Sequence, residues 1–272
     1  HVGVPDTERA FGLINLLTPY LPHLLAVSAN SPFWQGVDTE FASARAALFR
    51  PTAHSGIPLH FETAHGFGAY YRVLRDNGVF GSTKDIYWDL RPRPCMGTIE
   101  FRICDAPASL SHLLGLVALV RSLVIDGLRQ LDENPGLAAG DPGNHWLASE
   151  NKTLAARYGL RALCVREPGL ERRSLGADLD ALLERLQSVA HASDEADFLL
   201  PFHGGMERFE SGADRQRRLY RQTGDWRPVL DEMRGRWVRE LEEAVVSEQR
   251  VLPQAALEPV GGPTAGPVTV GS

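Results

Sequence analysis

The tightest constraint on this chain's fold is a run in which polar and apolar side chains alternate strictly, Thr98-Ile99-Glu100-Phe101-Arg102-Ile103-Cys104. Successive strand residues point to opposite sides of a sheet, so Thr98, Glu100, Arg102 and Cys104 share one face and Ile99, Phe101 and Ile103 the other. One face is core and the other is polar. A second alternating run, Ile86 to Arg91, lies just upstream, and Pro92 to Gly97 between them is rich in turn formers. The two runs are expected to pair as an antiparallel hairpin, gathering Asp89, Arg91, Glu100 and Arg102 on one surface.

Around this hairpin the periodicity is helical. His1-Val2-Gly3-Val4 alternates like the tail of a strand and stops at Pro5, after which Asp6 is placed to cap a helix carrying Ala10, Phe11, Ile14 and Leu17 on one face. Tyr20 to Ala29 continues it. Asn30 to Gly68 turns to Ser, Pro, Gly, Thr and His, which predicts a long ordered loop system of the kind that carries function. Helices are expected from about Gly66 to Asp76, from Ser109 or Ser111 to Leu128, after Ser174 through Val189, and along Val229 to Val245. The fold class is therefore α+β. A sheet-bearing part (1–131) and a helical part (144–250) of one catalytic domain meet at a seam between Asp132 and Gly143, and a Pro- and Gly-rich tail (251–272) is expected to be disordered.

Composition removes several function classes. Asp and Glu total 34 against 28 Lys and Arg, a net charge of −6, which argues against a nucleic-acid partner. The only lysines, Lys84 and Lys152, sit outside any Gly-Lys-Ser/Thr context, so no Walker phosphate loop is present. Three widely spaced cysteines, Cys95, Cys104 and Cys164, fit a reducing, cytoplasmic compartment better than a disulfide framework. The most apolar run, Leu113 to Val120, is interrupted by Arg121 and Asp126, and no membrane partner is expected.

The charged hairpin face is the candidate site. Carboxylates there would hold a divalent cation and guanidiniums would bind phosphate or carboxylate oxygens, although a solvated face with cross-strand salt bridges explains the same pattern. Asn30-Ser31-Pro32-Phe33-Trp34-Gln35-Gly36, followed by Ser43-Ala44-Arg45, has the look of a binding loop. Its other reading is an irregular connection held by Asx- and Ser-type turns, with Phe33 and Trp34 anchored in the core. His54, His60 and His65 match no zinc spacing, and Arg215 to Arg218 reads as a solvated arginine-rich helix face.

Taken together, His1-Val2-Gly3, Ser28 to Gly36, Ala42 to Arg45, Tyr87 to Pro92, Gly97 to Asp105, and Glu150-Asn151-Lys152 with Ala155 to Leu160 resemble the carboxylate-amine ligases of the glutamate–cysteine ligase type 2 family. The resemblance implies a glutamine-synthetase-like fold, with a curved antiparallel sheet presenting the site on its concave face and helices behind. It implies an enzyme that uses ATP and Mg²⁺ to activate a glutamate-type carboxylate as an acyl phosphate, which an amine such as that of cysteine then attacks. Glu100 matches the family's metal-binding glutamate, and His1 matches the second histidine of a metal-site His-x-His strand. Arg102 matches the catalytic arginine facing the nucleotide phosphates. Arg45 matches an arginine for the amino-acid carboxylate, with Ser43 and Asn30 beside it as substrate-binding residues. What is in hand resembles the C-terminal two thirds of such an enzyme, so an N-terminal segment or chain and a second copy are the macromolecular partners to expect. A non-catalytic fragment or subunit that keeps the scaffold is the competing reading.

Overall fold

The computed structural model describes residues 1–48, 54–107, 109–165, 172–204 and 209–251. Most of the Pro- and Gly-rich tail, from 252 onward, lies outside the described residues, as do 49–53 within the Asn30 to Gly68 stretch. The architecture is α+β and predominantly helical.

Strands β1 (Val2–Gly3), β6 (Leu90–Arg93) and β7 (Thr98–Phe101) form a three-stranded antiparallel sheet in the order β1-β7-β6. The register sets Arg91 opposite Glu100, Arg93 opposite Thr98, and Val2 opposite Ile99. This corrects the expected hairpin. The upstream run breaks at Asp89: β5 (Tyr87–Trp88) pairs in parallel with β4 (Ser55–Gly56), and only Leu90 onward pairs with β7. The strand also continues through Pro92. Proline lacks a ladder donor, and β6 tolerates it because it is the edge strand of this sheet. The turn is correspondingly shorter, Pro94 to Met96, closed by Gly97 in the left-handed region at φ 60°.

Leu90, Ile99 and Ile103 are buried on the inner face of the sheet, against α1 (Thr7–Leu17). Asp6 caps α1 by accepting a hydrogen bond from the Arg9 amide. Helix α2 (Leu21–Ser28) follows, and α5 (Leu110–Glu133), α6 (Pro142–Tyr158) and α7 (Leu175–Ala192) complete the layer behind it. Ser109, not Ser111, is the cap of α5, accepting from the His112 amide. By length and composition, Thr7–Ser28 and Leu110–Glu133 are apolar enough to cross a membrane, but 83% and 56% of their apolar windows are buried in the protein interior. One apolar core runs from Ala10 to Phe202 and is continuous across the Asp132 to Gly143 connection.

Helix α4 (Ala64–Asp76) is fastened to β5 by rings: Phe67 lies 4.9 Å from Phe11 and 6.0 Å from Trp88, and Tyr70 stacks on Trp88 at 6.2 Å. Helices α8 (Gly212–Thr223) and α9 (Trp226–Val251) close the chain on the outside. The run Arg215 to Arg218 on α8 is only in part the solvated face expected of it: Arg218 is exposed, but its neighbours turn inward. Arg217 is buried and forks onto Asp38 at 2.6 and 2.9 Å, while Gln216 donates to the backbone and side-chain oxygens of Asn30.

Two glycines of α5 record how closely its neighbours approach. A Cβ on Gly115 would fall 2.8 Å from the Phe202 ring and 2.9 Å from the Phe198 carbonyl oxygen, whereas on Gly127 it would meet terminal methyls alone, of Leu13 at 2.7 Å and of Leu17 at 3.8 Å. Ring and backbone cannot swing aside as a methyl can. Gly115→Ala should therefore destabilise the protein by about 1–3 kcal/mol, overpacking outweighing the roughly 1 kcal/mol gain in helix propensity. Gly127→Ala should stay within about 1 kcal/mol of wild type by the same two terms. Urea unfolding midpoints of the two variants measure the difference.

Candidate active site

The outer face of the β1-β7-β6 sheet carries the charges that the alternation placed there. Arg91 Nε donates to Glu100 Oε2 at 2.6 Å and Arg102 Nη1 donates to Oε1 at 2.9 Å. A third guanidinium, Arg93, brings its Nε to 3.9 Å from Oε2. His1 reaches the same oxygen at 3.7 Å through Nε2 and lies 3.2 Å from Thr98 Oγ1 through Nδ1. Arg91 is held from behind, because its Nη1 also donates to the carbonyls of Ile86 at 2.6 Å and Lys84 at 3.1 Å.

Exposure grades across this face. The side chain of Arg91 is 7% exposed and that of Arg102 is 32% exposed, so Arg91 serves the interior and Arg102 meets whatever approaches. The Arg102 guanidinium also lies over the half-exposed Tyr87 ring, 5.5 Å from its centre. Burial pushes the Glu100 carboxyl up, but hydrogen bonds and charge from Arg91 and Arg102 outweigh it and hold Glu100 below the usual carboxylate range.

Asp89, at the start of this face, is paired with Lys152 of α6 at 2.6 Å. Burial raises its carboxyl against the opposing charge of Lys152. Lys152 also lines a cavity of about 590 Å³, shared with Phe41, Ile57, Leu59, His145 and Trp146. That size is within the range of small-molecule sites. The charged face and the cavity thus meet at the Asp89–Lys152 pair.

The residues expected to bind substrate converge on a group that sequence reasoning missed, the buried carboxylate of Asp105. Its Oδ2 accepts from the Asn30 amide at 2.9 Å and Ser31 Oγ at 2.7 Å; its Oδ1 accepts from Ser43 Oγ at 2.9 Å and Arg45 Nη1 at 3.3 Å. Arg45, on α3 (Ala44–Leu48), further donates to the carbonyls of Arg102 at 2.6 Å and Ile103 at 3.1 Å. Asn30, Ser43 and Arg45 are therefore brought together, and their hydrogen bonds strap the loop to the end of β7. The loop residues Phe33 and Trp34 do not enter the core. Phe33 packs on Tyr220 and Trp226 at 5.5 and 4.5 Å, and Trp34 is 53% exposed on a β2–β3 hairpin (Phe33–Trp34 and Val37–Asp38).

The donor set on this face does not by itself suit magnesium. Mg²⁺ asks for near-octahedral oxygen coordination. Here Glu100 has each carboxylate oxygen engaged by an arginine, His1 is a nitrogen ligand, and no group of three His, Cys, Asp or Glu side chains that could hold a metal occurs among the described residues. Lys152, Arg93 and Asp105 are the site features missing from the sequence reading. Lys152 stood in a recognised block, but its partner is far away in the chain and no local spacing links them.

Replacing Glu100 with Gln keeps the shape and removes the charge that Arg91 is buried against. Glu100→Gln should cost about 2–3 kcal/mol, between the values for exposed and buried pairs. Because the folded-state pKa of Glu100 lies below its unfolded value of about 4.3, this stabilisation is present above that pH and is lost as pH falls through the folded value. Denaturant titrations should find the gap between wild type and Glu100→Gln at pH 7 and see it shrink toward pH 3.

Residues 1–243 match the glutamate-cysteine ligase family 2. A protein of Mycolicibacterium paratuberculosis named "Putative glutamate--cysteine ligase 2" is 38% identical over 237 residues, covering 85% of this chain and 61% of its own length. Like-named proteins of Mycobacterium ulcerans and Mycobacterium avium are 40% and 38% identical, covering 85% of this chain and 58% and 60% of their own lengths. The chain spans about 60% of the length of these curated relatives. With a charged strand face, a loop strapped to its end and a family match running the length of both, this chain belongs to glutamate–cysteine ligase family 2.

Proposed function

We propose that this chain carries the active-site face of a cytoplasmic, ATP-dependent carboxylate-amine ligase, with the three-stranded sheet forming part of a glutamine-synthetase-like curved sheet. The observation that carries the reading is the Glu100 cluster, in which an accessible Arg102 stands beside a buried, fixed Arg91 on a sheet face that leads into the Asp89–Lys152 cavity.

In this reading a glutamate-type carboxylate oxygen attacks the γ-phosphorus of ATP and ADP leaves. An amine nitrogen, that of cysteine or a relative, then attacks the acyl carbon, expelling phosphate and losing a proton to give the amide. Arg102 is the group suited to charge on the transferring phosphoryl oxygens, since its guanidinium is preorganised by Glu100 and Tyr87 and open to solvent. Arg45 orients the strand end and offers a partly exposed guanidinium to a substrate carboxylate. ATP brings Mg²⁺ as its usual counter-ion, and the oxygen ligands of that ion would have to come from more than Glu100, since His1 offers only nitrogen.

The test is glutamate-dependent ADP formation by the intact enzyme in the presence of a panel of amines. Arg102→Ala should lower kcat about 10²–10³-fold, the size seen when one preorganised donor to a developing charge is removed. Absence of ADP and amide with every amine in a folded wild-type protein would overturn the ligase reading in favour of a non-catalytic subunit. Equal kcat in wild type and Arg102→Ala would remove Arg102 from the phosphoryl site.

A further inference from the structure

The cavity beside Lys152 is larger and more apolar than cysteine requires of an acceptor site. It measures about 590 Å³, a size that suits ligands with a ring body. One face of α6 forms its floor, where Pro142, His145, Trp146, Ser149, Lys152 and Thr153 recur at three- and four-residue intervals. Phe41, Ile57 and Leu59 contribute the facing wall. Leu59 and Trp146 stay about half exposed beside it, apolar surface that an apolar ligand would take out of water.

Two polar groups mark its ends. His145 is buried, and its Nδ1 lies 2.9 Å from the Pro58 carbonyl; a carbonyl only accepts, so Nδ1 carries the proton. Burial pushes the imidazole down from its ordinary range, which keeps it neutral and leaves a lone pair on Nε2. That Nε2 finds no hydrogen-bond partner among the described residues, and a buried acceptor without a donor is costly. At the other end Lys152 is bound to Asp89 at 2.6 Å. The separation of His145 from Lys152 along α6 is two turns, roughly 10 Å at the helical rise. Cysteine is shorter than that span. Its carboxylate would also find no free cation: among the described residues lining the cavity, Lys152 is the only lysine or arginine, and Asp89 already holds it.

We infer that the cavity is the acceptor site for an arylalkylamine without a carboxylate, its nitrogen beside the Asp89–Lys152 pair, its ring between α6 and the wall of Ile57 and Leu59, and a hydroxyl or N–H beyond the ring donating to His145 Nε2. The inference rests on the ligase reading and parts from it only in the amine. The neutral nitrogen forms the bond to the acyl carbon as the carbon–oxygen bond to phosphate breaks, and the amine proton leaves on the released phosphate as hydrogen phosphate. His145 reads the far end of the amine and takes no part in that exchange.

The experiment is calorimetric titration of the intact protein with tyramine, phenethylamine and cysteine, each alone and each with glutamate and a non-hydrolysable ATP analogue, followed by amide formation with the same three amines. Tyramine should bind best. Phenethylamine, which lacks the hydroxyl, should bind about 5- to 100-fold more weakly, the range for one unmet buried hydrogen bond. Cysteine should be weaker than either, and kcat/KM for amide formation should keep the same order. His145→Phe, which retains a ring and removes the acceptor, should bring tyramine and phenethylamine within about threefold of each other. Ser149→Trp, at an exposed position on the same face of α6, should weaken both arylalkylamines by filling the cavity, and it serves as the readout if His145→Phe does not fold. Equal affinity for tyramine and phenethylamine in the wild type, or binding of neither with or without the nucleotide, would each overturn the inference. Tighter binding or faster amide formation with cysteine would overturn the acceptor and leave the ligase reading standing. Tyramine binding that depends on His145, with no ADP formed with any amine, would sink the ligase reading and leave the amine site.

Discussion

The Arg91–Glu100 pair is the contact on which the rest of the charged face depends. A guanidinium that is almost fully buried must have its charge and donors met inside the protein, and Arg91 achieves this with one carboxylate oxygen and two carbonyls. The two carbonyls belong to Lys84 and Ile86, so the same bonds pin the segment leading into β5 against β6. With one oxygen of Glu100 committed to Arg91, the other is free to orient Arg102 outward. A single cross-strand pair therefore sets the order of the face from interior to solvent.

A second buried carboxylate does for the loop what Glu100 does for the sheet. Asp105 collects donors from Asn30, Ser31, Ser43 and Arg45, residues from both ends of the Asn30 to Arg45 segment that the sequence offered either as a binding loop or as an irregular connection. Arg45 then ties this hub to the carbonyls of Arg102 and Ile103. The loop and the charged face are joined by these bonds at the point where β7 ends. Outside, Arg217 and Gln216 of α8 hold the other side of the loop through Asp38 and Asn30.

Much of this was legible locally. The alternation in Thr98 to Cys104 assigned Glu100 and Arg102 to one face and Ile99 and Ile103 to the other, because strand side chains have a period of two wherever the strand lies. Asp6, Ser109 and Ser174 announced helix starts for an equally local reason: a short polar side chain satisfies amides within the next turn. The hairpin boundary was misread, since pairing of Tyr87–Trp88 with Ser55–Gly56 is a long-range event and the tolerance of Pro92 depends on which strand ends up at an edge. Arg217 was misread because a run of arginines looks solvated until a distant Asp38 is packed against it.

By itself, the sequence determined the α+β class, the two-faced strand, the helix starts and, through the order of its blocks taken as a resemblance, the ligase family. These follow from the intrinsic geometry of strands and helices and from residue order, neither of which needs a partner elsewhere in the chain. Tertiary structure decided which charges neutralise one another: Glu100 with Arg91 and Arg102, Asp89 with Lys152, and Asp105 with Asn30, Ser43 and Arg45. It also decided that Arg93 would stand off from Glu100 at 3.9 Å. Electrostatic partnership depends on distance in space and on the water removed between charges, and both come into being only when the chain has folded.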